Sequence, residues 1–285
     1  MSILETATSV LRLMAREQRE MSMIDLVDQL GMPKSSASRV LKQMSEAGLL
    51  ERDKKSLAYR PSMLLLELSH LVRSSSALID MCALALETLG ERFGHTGYVS
   101  VLEGNDVVVL RVRPGSLAFR AMTNPGHRSA SWATSTGRAL LARETDEQIR
   151  ARFPQGLRPE GAQTVNANAA DIGADAPFSD SRAPARGPAT LDALLDEVAL
   201  TRSRGYALAQ NEALYGVCSV GCSIADPSSG ECLSFCLSFP AGAQDDAALV
   251  ALGEAVREQA RTIGRSLGDP YWSAFPTNST PKNRR

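Results

Sequence analysis

The chain has 285 residues, 44% hydrophobic and 22% charged, with a formal net charge of −1. That length accommodates two domains with sizeable cores, and the composition excludes disordered and fibrous classes. No apolar run approaches the ~18 residues of a membrane-spanning helix, and a slightly acidic whole requires any polyanion partner to be met by a local cluster of cations.

The N-terminal stretch MSILETATSVLRLMAREQ has no basic leader before an apolar run and no small-residue cleavage site. It predicts a helix with Ala7, Val10, Leu11 and Met14 on one face, in a protein of the cytoplasm. Ser22 to Gly48 then predicts two short helices joined by a tight turn. Ser22 caps the first, with Asp25 as its capping-box partner, and Met23, Ile24, Val27 and Leu30 form its apolar side. Gly31 ends it and Pro33 fits the first turn of the second helix. There Ala37, Val40, Leu41 and Met44 follow the inward-facing helical spacing. Ser35, Arg39, Lys42 and Gln43 point the opposite way, with Ser36 at the margin.

That outer face suits a DNA major groove: short hydroxyls such as Ser35, Ser36 and Ser38 meet phosphates, and arginine or lysine pairs with guanine. An ordinary solvated face on a helical hairpin is the alternative for this stretch alone. The next residues weigh against it. LLERDKKSLAYRP predicts a small hairpin turning at Asp53–Ser56, a basic wing whose Arg52, Lys54, Lys55 and Arg60 engage phosphates. Lys34 to Arg60 contains seven Lys/Arg and three Asp/Glu.

Leu64, Leu68, Leu71 and Val72 fit one following helix; Leu78, Met81, Cys82, Ala85, Leu86 and Leu89 fit another, with a hinge at Arg73–Ser76. A leucine-rich helix outside a 60-residue domain is most simply covered by a second copy, which predicts a homodimer. From Thr96 the period changes to two. A hairpin turns at Glu103–Asp106, a third strand follows Pro114-Gly115, and short helices cover Thr134–Arg143 and Asp146–Phe153. Residues 154–190, rich in Pro, Ala, Gly, Asp and Ser, predict a mobile insert. Leu191–Arg204 is an amphipathic helix. Strands follow near Tyr206–Ala209, Val217–Ala225 and Cys232–Phe239, then a closing helix Leu249–Leu267 and a frayed tail. Strands edged by helices in mixed order give an α+β domain.

The last strand places Leu233, Phe235, Leu237 and Phe239 on one face and Ser234, Cys236 and Ser238 on the other. Its small, weakly polar face fits either a small-molecule pocket or close packing against a helix backbone. The pairs Cys218/Cys222 and Cys232/Cys236 do not form a zinc site, because i and i+4 lie about 13 Å apart in a strand, beyond the reach of one ion. No phosphate loop, nucleophile elbow, HExxH or dinucleotide fingerprint is present, so neither catalytic residues, metal nor cofactor is expected.

GMPKSSASRVLKQMSEAGLLERD resembles the winged helix-turn-helix of IclR-type bacterial transcription regulators. The likeness continues through SASWATSTGRALLA (Ser129 to Ala142) and RSRGYALAQNEALYGVCSVGCSIAD (Arg202 to Asp226), from about Ser2 to Gly268. It implies a two-domain α+β protein: a winged helix-turn-helix at 1–61, linker and dimerisation helices at 62–94, a GAF-like α/β effector domain at 95–268, and a tail at 269–285. On the DNA side it places Lys34, Ser35, Ser36, Ser38, Arg39, Lys42 and Gln43, with the wing cations, on a pseudo-palindromic operator held by a homodimer that can pair into a tetramer. On the effector side it implies a pocket at Ser129, Ser135, Thr136, Gly137, Ala209, Ser219, Cys236 and Ser238. Trp132 stands where the family often has histidine, and Ala209-Gln210-Asn211 where acids are common. These departures point to an aromatic acid or related catabolic compound, its carboxylate held by free N–H groups at Ser135–Gly137. The implied function is a regulator, a repressor rather than an activator, whose operator affinity the effector sets through the hinge. A constitutive DNA-binding protein whose C-terminal domain serves only oligomerisation is the alternative.

Overall fold

The computed structural model describes residues 2–17, 19–74, 76–116, 123–157 and 187–276, which divide into two compact units, Met1–Ser76 and Ala77–Arg285. The first contains α1 (Ile3–Glu17), α2 (Met23–Leu30), α3 (Lys34–Glu46), the antiparallel strands β1 (Leu50–Arg52) and β2 (Tyr59–Pro61), and α4 (Met63–Ser74). A complete capping box starts α2: the Asp25 N–H donates to Ser22 Oγ, and the Ser22 N–H donates to Asp25 Oδ2 at 2.7 Å. Arg19 pairs with Asp25 at 2.6 Å. That guanidinium, aided by the Ser22 hydrogen bonds, holds the Asp25 carboxyl well below the usual carboxylate range. Gly31 closes α2 at φ +62°, a left-handed conformation that costs glycine little. Pro33 stands one position before the first turn of α3, as its N-cap, and its carbonyl accepts from the Ser36 and Ala37 N–H groups.

Ala37, Val40, Leu41 and Met44 of α3 close over Val10, Leu13 and Met14 of α1 and Leu26 of α2. The buried side of α2 differs from the expected one at Ile24, which is exposed, while Leu26 is fully buried. Met23, Leu26, Val27 and Leu30 complete an i, i+3, i+4, i+7 stripe, and Ile24 stands off it. The wing is tied to this core because Tyr59 and Met21 exchange two backbone hydrogen bonds, at 2.8 and 2.9 Å.

The second unit contains α5 (Ala77–Phe93), β3 (Thr96–Glu103), β4 (Asp106–Arg113), β5 (Arg128–Ala130), a 3-10 turn at Ser131–Ala133, α6 (Ser135–Leu141), α7 (Asp146–Arg152), α8 (Leu191–Arg204), β6 (Ala207–Gln210), β7 (Val217–Asp226), β8 (Glu231–Pro240), α9 (Asp246–Leu267) and α10 (Pro270–Ala274). The six strands pair antiparallel in the order β5-β4-β3-β8-β7-β6. Leu233, Phe235, Leu237 and Phe239 of β8 join the core that α5 and α9 cover. The opposite face of the sheet carries α6. The third strand expected after Pro114-Gly115 would fall on residues 117–122. These, most of the 154–190 insert (residues 158–186), and Ser75 of the expected hinge lie outside the described residues.

One face of the helix α5, formed by Leu78, Ile79, Cys82, Ala85, Leu86 and Leu89, is buried in the core of its own chain, while Leu84 is exposed. In α4, Met63, Leu64, Leu66, Leu68 and Leu71 are all exposed. One expected boundary needs correction: the chain after Gly268 is not a tail from its first residue. Asp269 and Trp272 are buried, and Asp269 takes both nitrogens of Arg143, at 3.0 and 2.7 Å. It also accepts from the Ala225 and Tyr271 N–H groups, while the Trp272 indole donates to the Ser223 carbonyl at 2.8 Å. No local apolar period marks these residues; one carboxylate and one indole, placed against partners far back in the chain, hold them.

Replacing Asp269 by alanine strands the Arg143 guanidinium without its carboxylate, so the second domain should lose about 3–5 kcal/mol. Thermal or urea unfolding of Asp269→Ala, and of a chain ended at Gly268, measures this; unchanged transitions would mean the C-terminal helix contributes nothing.

Candidate DNA interface and ligand cavity

In α3 the burial of Ala37, Val40, Leu41 and Met44 leaves Lys34, Ser35, Ser38, Arg39, Lys42 and Gln43 exposed, with Ser36 half-buried. Lys42 lies 3.6 Å from Glu46, one turn on, an exposed pair worth only ~0.3–0.5 kcal/mol and readily exchanged for phosphate. Arg39 has no acidic partner among the described residues. On the wing, Arg60 is engaged by Glu51 at 3.0 Å, and Arg52 lies over the Tyr59 ring at 5.6 Å. Lys54 and Lys55 project from the tip without an ion pair among the described residues. On helix and tip together, Lys34, Arg39, Lys54 and Lys55 form a cationic surface with no ion pair among the described residues.

In the second unit, a cavity of about 110 Å³ opens between the α6 face of the sheet, the start of α6 and the segment after β6. Ser129, Ser135, Thr136, Ala209, Ser219, Cys236 and Ser238 line it, so seven of the nine residues named from the sequence come together there. The Ser135 hydroxyl donates to Ser219 Oγ at 2.8 Å, and Ser238 donates to the Cys218 carbonyl at 3.3 Å. Burial pushes the Cys236 thiol up to about 12, which keeps it protonated and unreactive at neutral pH.

Trp132 and Gly137 do not line the cavity. The Trp132 indole packs with Leu141, Ile149, Phe153 and Leu194 in a separate cluster among α6, α7 and α8, away from the cavity lining. Gly137 is where α6 meets the 3-10 turn: a Cβ there would lie 2.1 Å from the Ser131 carbonyl oxygen. Its N–H is already given to the Thr134 hydroxyl at 3.0 Å. The expected carboxylate cradle thus loses one of its donors to the helix's own cap.

Sequence reasoning missed Tyr98, Val107, Val109, His127 and Glu212 on the wall. Glu212 lay in the quoted motif, yet its role depends on Arg138, 74 residues earlier. That guanidinium is 1% exposed and gives one nitrogen to Glu212 Oε1 at 2.7 Å and to the Leu208 carbonyl at 2.8 Å. Its other terminal nitrogen reaches Glu197 at 3.5 Å. Glu212 Oε1 also accepts from the Gln210 N–H at 3.2 Å. The result is an acidic cavity wall whose countercharge lies behind it; no lysine or arginine is among the lining residues.

These two sites match one known protein architecture. Residues 4–54 match the IclR helix-turn-helix domain, and residues 70–170 and 179–265 match the bacterial transcriptional regulator IclR C-terminal domain. The chain belongs to the IclR family. It is a DNA-binding transcriptional regulator, not an enzyme. Over 266 residues it is 26% identical to the HTH-type transcriptional regulator XynR of Escherichia coli (strain K12), covering 93% of this chain and 97% of that one. It is 22% identical over 266 residues to the HTH-type transcriptional repressor AllR of Salmonella typhi, covering 93% and 89%. Among solved IclR structures, one from Silicibacter sp. TM1040 shares the fold at a TM-score of 0.72 and 20% identity, covering 97% of this chain and all of that one. An IclR homologue from Microbacterium hydrocarbonoxydans, crystallised with 4-hydroxybenzoate, gives 0.67 at 20% identity, covering 94% and 99%. No described helix is long and apolar enough to cross a membrane.

His127 on the cavity wall supplies a pH test. Burial pushes its imidazole below the ordinary value near 6.5. The folded protein therefore binds that proton less readily than the unfolded chain. The resulting stability is present above pH ~6.5 and is lost as pH falls below it, by at most ~1.4 kcal/mol per unit for one site. His95, shifted the same way by burial, adds to the slope. His127→Gln should flatten the pH 5–7 stability curve; an unchanged curve would show that His127 is protonated as easily folded as unfolded.

Proposed function

We propose that the chain is a homodimeric cytoplasmic repressor that grips a pseudo-palindromic operator and changes its grip when a small hydroxylated molecule enters the distal cavity. The observation carrying this reading is a hydroxyl-lined cavity in one unit of a chain whose other unit exposes Ser35, Arg39, Lys42 and Gln43 along one helix. In it, α3 lies in the major groove, where Arg39 and Lys42 pair with base edges, Gln43 reads an adjacent base, and Lys34, Ser35, Ser36 and Ser38 secure phosphates. Arg52, Lys54, Lys55 and Arg60 hold the flanking backbone. The exposed leucines of α4 support pairing with a second copy, and two copies supply the two half-sites.

Volume sets the effector class. A cavity of about 110 Å³ is comparable to the ~150 Å³ apolar cavity that accepts benzene. It therefore suits a single ring or something smaller. Serine and threonine hydroxyls together with the Glu212 carboxylate suit a ligand that donates hydrogen bonds. The ring and hydroxyl of a hydroxylated aromatic acid, the class to which the Microbacterium relative's 4-hydroxybenzoate belongs, meet both requirements, with its carboxylate directed away from Glu212. Binding biases the two DNA-binding halves only if the ligand prefers one arrangement, a coupling of typically ~1–3 kcal/mol.

Arg39→Ala should weaken operator binding by ~1–3 kcal/mol while leaving random-duplex binding nearly unchanged. Equal losses on both duplexes would reduce Arg39 to a phosphate contact. Hydroxylated benzoates should raise the melting temperature and shift operator affinity; stabilisation by aliphatic 2-oxo acids alone would overturn the aromatic assignment. Operator affinity indifferent to every ligand that fits would leave a constitutive DNA-binding protein.

A further inference from the structure

Leu57 stands at the wing tip in a conformation its side chain resists. Its φ is +59°, one of two positive values at non-glycine positions among the described residues. A β-carbon in the left-handed region crowds the following carbonyl, so glycine or asparagine is the ordinary occupant. The leucine is also 53% exposed and belongs to none of the hydrophobic clusters. It is therefore a strained residue with no packing to compensate it.

The loop around it leaves no freedom to relax. Asp53 Oδ1 accepts from the Lys55 N–H at 2.8 Å, the Ser56 N–H at 2.7 Å and the Ser56 hydroxyl at 3.0 Å. The Leu57 N–H donates to the Asp53 carbonyl at 3.1 Å, and the Asp53 N–H donates to the Ala58 carbonyl at 2.9 Å. Those bonds, anchored below by the pairing of Arg52 with Tyr59, hold the exposed leucine on the same short turn that carries Lys54 and Lys55. Strain persists where surrounding bonds over-determine it, and it marks positions held for a partner.

We propose that Leu57 is a wedge that enters the DNA minor groove and opens a base step when the wing docks. This deepens the DNA-binding reading and rests on it. The two lysines supply attraction to the phosphates on either side of the groove. The leucine supplies the apolar contact by which minor-groove proteins part stacked bases and bend the duplex. No polar atom of the Leu57 side chain can read a base, so it selects for deformable steps such as TA rather than for a particular edge. The tip thereby adds to the operator a preference for flexible sequence about one wing's reach from the bases that α3 contacts.

The test uses the full-length protein and duplexes that it enriches from a random pool. Leu57→Asn keeps a residue that tolerates the left-handed conformation and removes the wedge. It should melt no lower than the parent, bind the enriched duplex about tenfold more weakly, and bend it less by fluorescence energy transfer between labelled ends. Leu57→Met, which retains an apolar tip, should restore affinity and bending. Leu57→Asn equal to the parent in affinity and bend would overturn the wedge while leaving DNA binding intact. A parent that enriches no duplex would instead overturn the DNA reading on which the wedge rests.

Discussion

The two-faced alternation of β8 is the constraint that arranges the second domain. Leu233, Phe235, Leu237 and Phe239 lie against α5 and α9, while Cys236 and Ser238 face the cavity. Side chains on a strand alternate strictly, so a slip of one residue would put phenylalanines into the cavity and serines into the core. The central position of β8, between β3 and β7, leaves it paired along both edges and unable to slip without breaking two ladders. Core and cavity are thus opposite sides of one decision.

One buried and one half-buried arginine fasten the elements around that strand. Arg138 binds α6 to β6 through the Leu208 carbonyl and to the segment after β6 through Glu212. Arg143, a turn and a half later, binds the end of the same helix to β7 through Ser223 and to α10 through Asp269. A buried guanidinium without its carboxylate is costly, so each pair specifies where distant segments meet more than it adds to net stability. Arg138 keeps Glu212 at the cavity wall without lining the cavity itself.

The legible parts of the sequence were those whose signals are local. The capping box at Ser22, the left-handed stop at Gly31 and the stripe Ala37–Val40–Leu41–Met44 are written within one or two helical turns, and the face opposite that stripe follows by geometry. The alternation of β8 is equally local. Apart from Ile24, one step off its helical stripe, the misreadings came where the partner is remote. Trp132 faces α7 and α8 rather than the cavity, a placement decided by Ile149, Phe153 and Leu194. The segment from Asp269 to Pro276 looked like loose chain because its anchors are Arg143 and Ser223, far back in the sequence. Glu212 was visible as a residue but not as a wall, since nothing near it in the chain announces Arg138.

The close approach at Gly137 limits how the cavity beside it could be reshaped. The helix rests on the Ser131 backbone at Gly137 with no room for a methyl group, so the start of α6, which lines the cavity through Ser135 and Thr136, is held at a fixed distance from that turn. Adjustable surface is left to the short side chains that line the space, chiefly Ser135, Ser219 and Ser238. Exchanging a hydroxyl for a methyl, or adding one carbon, alters a volume of about 110 Å³ appreciably while the sheet and its helices stay where they are. A rigid frame with a few interchangeable short residues lets the shape and polarity of the cavity change through single substitutions while the sheet keeps its register.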